Sequence, residues 1–400
     1  MMRITLLFIL LTGVMAGCSS KKENPYVVIF SFDGFRYNYN DSIELPNFND
    51  IAKNGVKAEW MIPVFPTVTY PNHYAIATGL YPEHNGIVNN KFFNSTLGKE
   101  YNSKNEKITS DSSFYKGIPL WNFLQDHGIK TATCNWVGSD ARINGKQANF
   151  KVNNHSLSDK SRVDSIIRWL QLPDLLRPHF MMAYFPQPDD VGHEFGPFHK
   201  QTLAKVQAMD SVVGYFSSQL QKLAIGKEVN IIILSDHGMA VADRAKNIFI
   251  PKKAADQFID RMEGGTQNIF VYSKKGQQDY FIDYLNSYKH INSLIRKKFP
   301  KNWHLNDTTT VPDLVLLADE GYNIHIQGEA LKKGGCHGYD NTIQSMQTIF
   351  YACGPKFKIM YAQKPFENID VFPLICKIFG IEPPVIDGKI NEVEGMLVKN

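Results

Sequence analysis

Tyr26-Val-Val-Ile-Phe-Ser-Phe-Asp33-Gly34 is the stretch on which the fold turns. Its first seven residues are apolar or β-prone almost without a break. They lack the in–out alternation of a strand with one wet face. A strand written this way is covered on both sides, as in parallel sheets packed between helices. The same pattern returns at Ile129–Trp136, Phe180–Phe185, Val229–Leu234 and Gln347–Cys353. Helix-period stretches are predicted between these runs, at Asn47–Lys53, Leu120–His127, Arg162–Leu170 and Thr202–Leu223. In the last of these, Leu203, Val206, Met209, Val213, Phe216 and Leu220 recur on one face. Alternating buried strands and helices predict an α/β domain with a mostly parallel central sheet covered on both faces.

From about residue 246 to 330 the character changes. Lys, Gln and aromatic residues rise, with alternation at Ile248–Pro251, Asn268–Tyr272 and Asp313–Leu317 and a helical stretch around Asp279–Tyr288. This predicts an inserted α+β lobe, after which the chain returns to the sheet. The whole catalytic domain is expected to span residues 26–400.

Chemistry-bearing residues collect where an α/β sheet places ligands, at the carboxyl ends of its strands. Asp33 follows the first strand directly, Asp189 follows Phe180–Phe185 closely, and Asp236-His237 ends the Val229–Leu234 run. Asp189 and His193 are four apart, so one helical turn sets them on one side. The neighbouring Asp190 fits that spacing less well. His337 lies between Gly335 and Gly338 in a fourth island, Cys336-His-Gly-Tyr339. Each island alone has an ordinary explanation, since strand-ending Asp-Gly is a common turn and D-x-x-x-H is a weak motif. Jointly they supply three carboxylates and three imidazoles, which suits a pair of divalent ions. Two such ions carry four positive charges, of which three carboxylates cancel most and neutral imidazoles none, leaving attraction for an anionic phosphate. Phe65-Pro-Thr-Val-Thr-Tyr-Pro-Asn-His73 adds hydroxyls of the kind that serve as phosphoryl-transfer nucleophiles. A metal-dependent phosphohydrolase follows from that combination.

The blocks FSFDGFR, FPTVTYPNHYAIATGLYPEHNGIVNNKFFN, YFPQPDDVGHEFGP, LSDHGM and GCHGYDN, with SMQTIFYACGPKFK after them, resemble the nucleotide pyrophosphatase/phosphodiesterase family of the alkaline phosphatase superfamily. The resemblance runs from residue 30 to nearly 360. It implies an alkaline-phosphatase-like fold and two Zn2+ per chain, one held by Asp33, Thr69, Asp236 and His237 and the other by Asp189, His193 and His337. It also implies Thr69, not Thr67, as the nucleophile, Asn90, not Asn89, as the oxyanion-stabilising amide, and Tyr70 and Tyr184 as rings that stack on a nucleobase. The implied reaction is two-step hydrolysis of nucleotide diesters or pyrophosphates to nucleoside monophosphates through a phospho-threonine. A lipid or choline phosphodiesterase, or a phosphomonoesterase, uses the same kind of site. One departure bears on polyphosphate handling: many nucleotide-cleaving relatives carry Lys just before the nucleophile, and this chain has Val68.

Residues 1–17 read as an export segment, with Arg3 ahead of an apolar run from Ile4 to Leu11 that only Thr5 interrupts. Ala16-Gly17-Cys18 resembles the lipobox of bacterial lipoproteins, which implies a lipidated Cys18, a tether over residues 18–25 and membrane attachment, with the periplasmic side favoured. A formal net charge of +4 on 400 residues implies no nucleic-acid partner. Cys134, Cys336, Cys353 and Cys376 form no C-x-x-C pair, and Cys134 and Cys353 fall in strand-like runs as expected of buried thiols.

Overall fold

The computed structural model describes residues 24–326 and 334–399. The expected export segment, Cys18 and most of the tether lie outside the described residues. An eight-stranded sheet forms the centre, in the order Tyr361–Gln363, Gly55–Ala58, Phe350–Cys353, Val229–Leu234, Tyr26–Phe32, Phe180–Phe185, Thr131–Cys134, Phe150–Val152. Tyr26–Phe32 is central and pairs in parallel on both sides, Val27 to Phe32 against Phe180 to Phe185 and Tyr26 to Ser31 against Val229 to Leu234. Phe350–Cys353 runs against both of its neighbours, whereas the other pairings in the sheet are parallel.

The absence of alternation in the first strand has its physical counterpart in two cores. Val27 and Ile29 face one, packed with Tyr74, Trp121, Leu124, Phe372 and Ile375. Val28, Phe30 and Phe32 face the other, packed with Phe48, Val163, Met209 and Phe216. Helices Thr69–Thr78, Leu120–Asp126 and Val371–Phe379 therefore cover one face, and Pro46–Lys53, Asp159–Leu170 and Lys200–Leu220 the other. At 25 cal/mol per Å², burying each large apolar side chain is worth roughly 1.5–3 kcal/mol. The strand is fixed from both sides, and so is whatever its end carries.

Asp210, on the buried stripe of the long helix, is a cap rather than a site residue. It accepts from the Asn47 and Phe48 amides at 2.9 and 3.0 Å and from Asn47 Nδ2 at 2.7 Å, satisfying the start of Pro46–Lys53.

The expected lobe is a four-stranded antiparallel sheet, ordered Ile259–Gly264, Asn268–Ser273, Leu314–Ala318, Ile291–Ile295, with helix Gln278–Leu285 and its own apolar cluster. Asn247–Ile250 and Asn323–Ile326 form a separate parallel pair at its base. The four cysteines among the described residues are free thiols, and Cys336 Sγ lies 3.0 Å from the Tyr339 hydroxyl.

Candidate metal centre and catalytic site

The four islands meet at the carboxyl edge of the sheet. Asp33 leaves the central strand, and Gly34 follows at φ +67°, a left-handed turn that glycine adopts without strain. A Cβ there would lie 2.8 Å from Asp189 Oδ1, so glycine also lets the two islands close together. Asp189–Phe195 is a short helix, which sets Asp189 and His193 one turn apart on the same side, as the spacing predicts. Asp236 and His237 follow Val229–Leu234 and are fully buried.

Asp33, Asp236 and His237 offer ligand atoms within 4.8 Å of one another, as do Asp189, His237 and His337. His237 Nε2 is the hinge: it lies 3.2 Å from each of Asp33 Oδ1, Asp236 Oδ2 and Thr69 Oγ1. Its ring stacks on that of His337, with centroids 3.6 Å apart. His193 joins the second group, its Nε2 3.2 Å from Asp189 Oδ2 and 3.1 Å from His337 Nε2.

The hydrogen bonds around the cluster turn its acceptor atoms inward, where the Nε2 atoms meet one another and the Thr69 hydroxyl. Each of the three imidazoles has Nδ1 on a backbone carbonyl: His193 on Gly335 at 3.0 Å, His237 on Gly238 at 2.9 Å, His337 on Thr67 at 2.9 Å. Nδ1–H donates there, and Nε2 is left as a lone pair facing the cluster. The carboxylates follow suit. Tyr184 donates to Asp33 Oδ2 at 2.6 Å and the Gly34 amide to Asp236 Oδ1 at 3.2 Å. The other oxygens, Asp33 Oδ1 and Asp236 Oδ2, are buried with no hydrogen-bond donor, as is Asp189 Oδ1. While His237 is neutral, the closeness of Asp33 Oδ1 and Asp236 Oδ2 to its Nε2 brings them no donated proton. Buried, unsatisfied carboxylate oxygens are costly. Divalent cations fit this donor set, because they remove that cost and accept the imidazole lone pairs.

Without a cation the same crowding holds protons. Burial, then the charge of Asp33, pushes the Asp236 carboxyl well up. Burial opposes protonation of His237, but Asp236 and Asp33 outweigh it and raise the imidazole to about 10. Asp189 raises His193 to about 9. His337 is driven well below the ordinary range by burial and by its two imidazole neighbours.

Thr69 opens helix Thr69–Thr78, so its hydroxyl sits at the positive end of the helix. Asn72 fixes that start: its Nδ2 donates to Pro66 O and Val68 O, and its Oδ1 accepts from the Val64 amide. Asn90 Oδ1 accepts from the Tyr70 amide at 2.9 Å, and the Asn90 amide donates to Asn89 Oδ1. Asn89 is tied in turn to Asn268 of the lobe. With its oxygen committed, Asn90 has its Nδ2 donors left over.

Beside Thr69 a pocket of about 320 Å³ is lined by Tyr70, Lys104, Trp136, Asn153, His155 and Tyr184, among others. Both tyrosines therefore border it, Tyr184 while also holding Asp33. His73 has a part that the motif did not reveal. Its Nδ1 lies 3.0 Å from Thr69 O and 3.4 Å from Asp236 Oδ2, and its Nε2 lies 2.8 Å from Ser31 Oγ. Burial depresses it to about 4, so it is a neutral brace.

The family described as type I phosphodiesterase / nucleotide pyrophosphatase matches residues 27–340. The chain belongs to this family. Bovine ectonucleotide pyrophosphatase/phosphodiesterase family member 3 is 32% identical over 402 residues, 96% of this chain and 45% of that protein. Human family member 1 is 31% identical over 394 residues, 95% of this chain and 42% of that protein. The chain thus spans less than half the length of these relatives. Among solved structures, murine ectonucleotide pyrophosphatase/phosphodiesterase 5 superposes with a TM-score of 0.88 at 29% identity, covering 93% of this chain and all of that one. An inactive threonine-to-alanine variant of the murine protein, in complex with AMP, matches with a TM-score of 0.87 over 94% of this chain.

Proposed function

We propose that this chain is a metal-dependent phosphodiesterase and nucleotide pyrophosphatase that releases nucleoside monophosphates through a phospho-threonine intermediate. The observation that carries the metal reading is the inward set of acceptor atoms: three Nε2 lone pairs, met only by one another and by the Thr69 hydroxyl, and three donorless carboxylate oxygens around one space. Family membership and the nucleotide bound to the murine relative support the substrate class. Asp33, Asp236, His237 and Thr69 would hold one ion and Asp189, His193 and His337 the other, with Zn2+ the expected metal. Bound there, the pair would supply Lewis-acid stabilisation of the attacking and leaving oxygens.

The chain's own groups do the rest. Thr69 Oγ1 attacks phosphorus in line and the bond to the leaving alcohol or phosphate breaks. The inactivity of the murine threonine-to-alanine variant supports this role. Asn90 Nδ2 donates to a non-bridging oxygen as its charge grows, aided by the amino end of the Thr69 helix. His73 holds the Thr69 carbonyl and Asp236 in place, keeping nucleophile and ligand in register. Tyr70 forms one wall for the base, with Tyr184 beside it. Water then attacks phosphorus from the opposite side, the Thr69–phosphorus bond breaks, and the monophosphate leaves. We further read the protein as an exported lipoprotein anchored through Cys18.

The test compares hydrolysis of the p-nitrophenyl ester of thymidine monophosphate with that of p-nitrophenyl phosphate, for zinc-loaded wild type and Thr69→Ala. Diester turnover far above monoester, lost by about 10⁴-fold in the variant, is the expected result. A monoester preference removes the diesterase assignment, and activity surviving in Thr69→Ala removes the nucleophile.

A further inference from the structure

The metal cluster occupies the carboxyl edge of the sheet, and the chain enters at the opposite, amino edge. Asn24 is held there, its carbonyl 2.9 Å from His179 Nδ1, two residues before the strand start at Tyr26. A strand of six or seven residues separates the two edges by about 20 Å. Between Cys18 and Pro25 there are eight residues, which reach at most about 27 Å when fully extended. The tether leaves from this edge, so an acyl group on Cys18 holds the bilayer within about 27 Å of it, nearer than to the metal edge.

The amino edge is built for such a neighbour. Among the described residues, Leu175 and Met360 are 84% and 75% exposed, and Leu176 and Ile359 are exposed beside them. Leu175 and Leu176 sit in the turn that Arg177 and Asp174 tie to the Tyr26 hydroxyl. Ile359 and Met360 precede Tyr361–Gln363, whose start lies on the same edge because it runs parallel to Gly55–Ala58.

The same edge carries a basic hollow of about 520 Å³, lined by Lys356, Lys358, Lys377 and Lys399 with Ile378, Leu397 and Val398, and with Glu394 its one acidic member. Its place at this edge is fixed by the Lys356 amide, which donates to Asn230 Oδ1, while Asn230 Nδ2 donates to the carbonyl of Tyr26. Lys377 faces Glu394 at 3.8 Å and Lys358 Nζ donates to the Gly395 carbonyl, which leaves Lys356 and Lys399 and a net positive charge around an apolar floor, suited to an anionic headgroup with acyl chains behind it.

We propose that this edge is a membrane-docking face and that the lysine-lined hollow takes the headgroup of an anionic phospholipid. The proposal rests on the reading of Cys18 as the anchor. It turns the metal cluster away from the bilayer, toward soluble substrate.

The test uses the acylated full-length product in vesicles of phosphatidylcholine, with and without 30% phosphatidylglycerol, read by hydrogen exchange. Segments 172–178 and 356–361 are expected to exchange at least about five-fold more slowly on anionic vesicles than in detergent, with 278–285 of the lobe unchanged. Lys356→Ser with Lys399→Ser should abolish the phosphatidylglycerol dependence and leave diester turnover intact. Equal exchange in detergent and on vesicles, with the protein still vesicle-bound, overturns the docking face. Protection indifferent to phosphatidylglycerol overturns the headgroup site. Intact mass reads the anchor separately. A chain without an acyl group defeats that reading, and its failure to sediment with anionic vesicles then defeats the face as well.

Discussion

The two halves of the metal cluster are built differently. Asp33, Asp236 and His237 hang from two adjacent central strands and are nearly inaccessible, with no side chain more than 4% exposed. In the other half Asp189 and His193 ride a seven-residue helix and the His193 side chain is 45% exposed. His337 follows the three-residue strand Gly334–Cys336, paired with Ala240–Ala242, and is held by its bond to Thr67. One half is part of the core, and its ligands move only if the sheet moves. The other is assembled from connections, which open at lower cost than the strands they join. The first should bind its ion more tightly and release it more slowly.

Substitution gives the largest expected contrast. Asp236→Ala removes a ligand of the buried half that also meets His73, and kcat/KM should fall on the order of 10⁴-fold. His193→Ala should cost only about 10²-fold and be partly rescued by excess Zn2+. Equal losses, measured by steady-state kinetics on one diester, break the contrast. Graded chelation comes next. Limited dialysis against a chelator should yield a species with one ion per chain that has lost diester turnover, seen by elemental analysis. Loss of both ions together would mean that His237, shared between the two groups, makes them one unit.

A pH series probes the exposed half. In stripped protein His193 is raised to about 9 from an ordinary 6.5, so its pairing with Asp189 stabilises fully below about 6.5 and is lost as pH rises through 9. Raised His237 and Asp236 act in the same direction. The Tm of stripped protein should therefore fall between pH 7 and 9.5, while metal affinity rises over the same window as binding displaces fewer protons. His193→Gln should flatten both trends, and a Tm that climbs instead contradicts the pairing. The smallest expected effect is that of Tyr184→Phe. Removing the donor to Asp33 Oδ2 should weaken metal binding by about tenfold, with little change in KM for a base-bearing substrate. A large rise in KM would make Tyr184 chiefly a base contact.

The buried half was the easier to read in the sequence. Asp33 and Asp236-His237 end apolar runs that cannot be anything but covered strands, so their positions followed from the run boundaries. Asp189 and His193 were legible from a spacing of four. His337 was harder, since the strand that it follows, Gly334–Cys336, is too short and glycine-rich to stand out; its place also depends on Thr67, 270 residues away in sequence. The pocket beside Thr69 was not legible, because its lining comes from separate segments between Thr69 and Tyr184 that share no period. His73 closes the threonine motif without a visible role there, because its contacts with Ser31 and Asp236 are long-range and leave no local trace. The direction of Phe350–Cys353 was invisible too, since a buried strand is apolar whichever way it runs. Gly55–Ala58 and Tyr361–Gln363 were too short and too polar to stand out.

The reversed strand has a consequence for how the protein comes into being. Phe350–Cys353 lies between Val229–Leu234, at the heart of the sheet, and Gly55–Ala58, one of the earliest strands to be synthesised. A nascent chain of 300 residues holds Asp33, Thr69 and Asp236, but neither His337 nor the strand that joins its outer edge to the centre. Such a chain cannot close the sheet, and one of its two candidate metal-binding groups is short of His337. Completing both the sheet and the candidate metal cluster thus falls to the last part of the chain to be made.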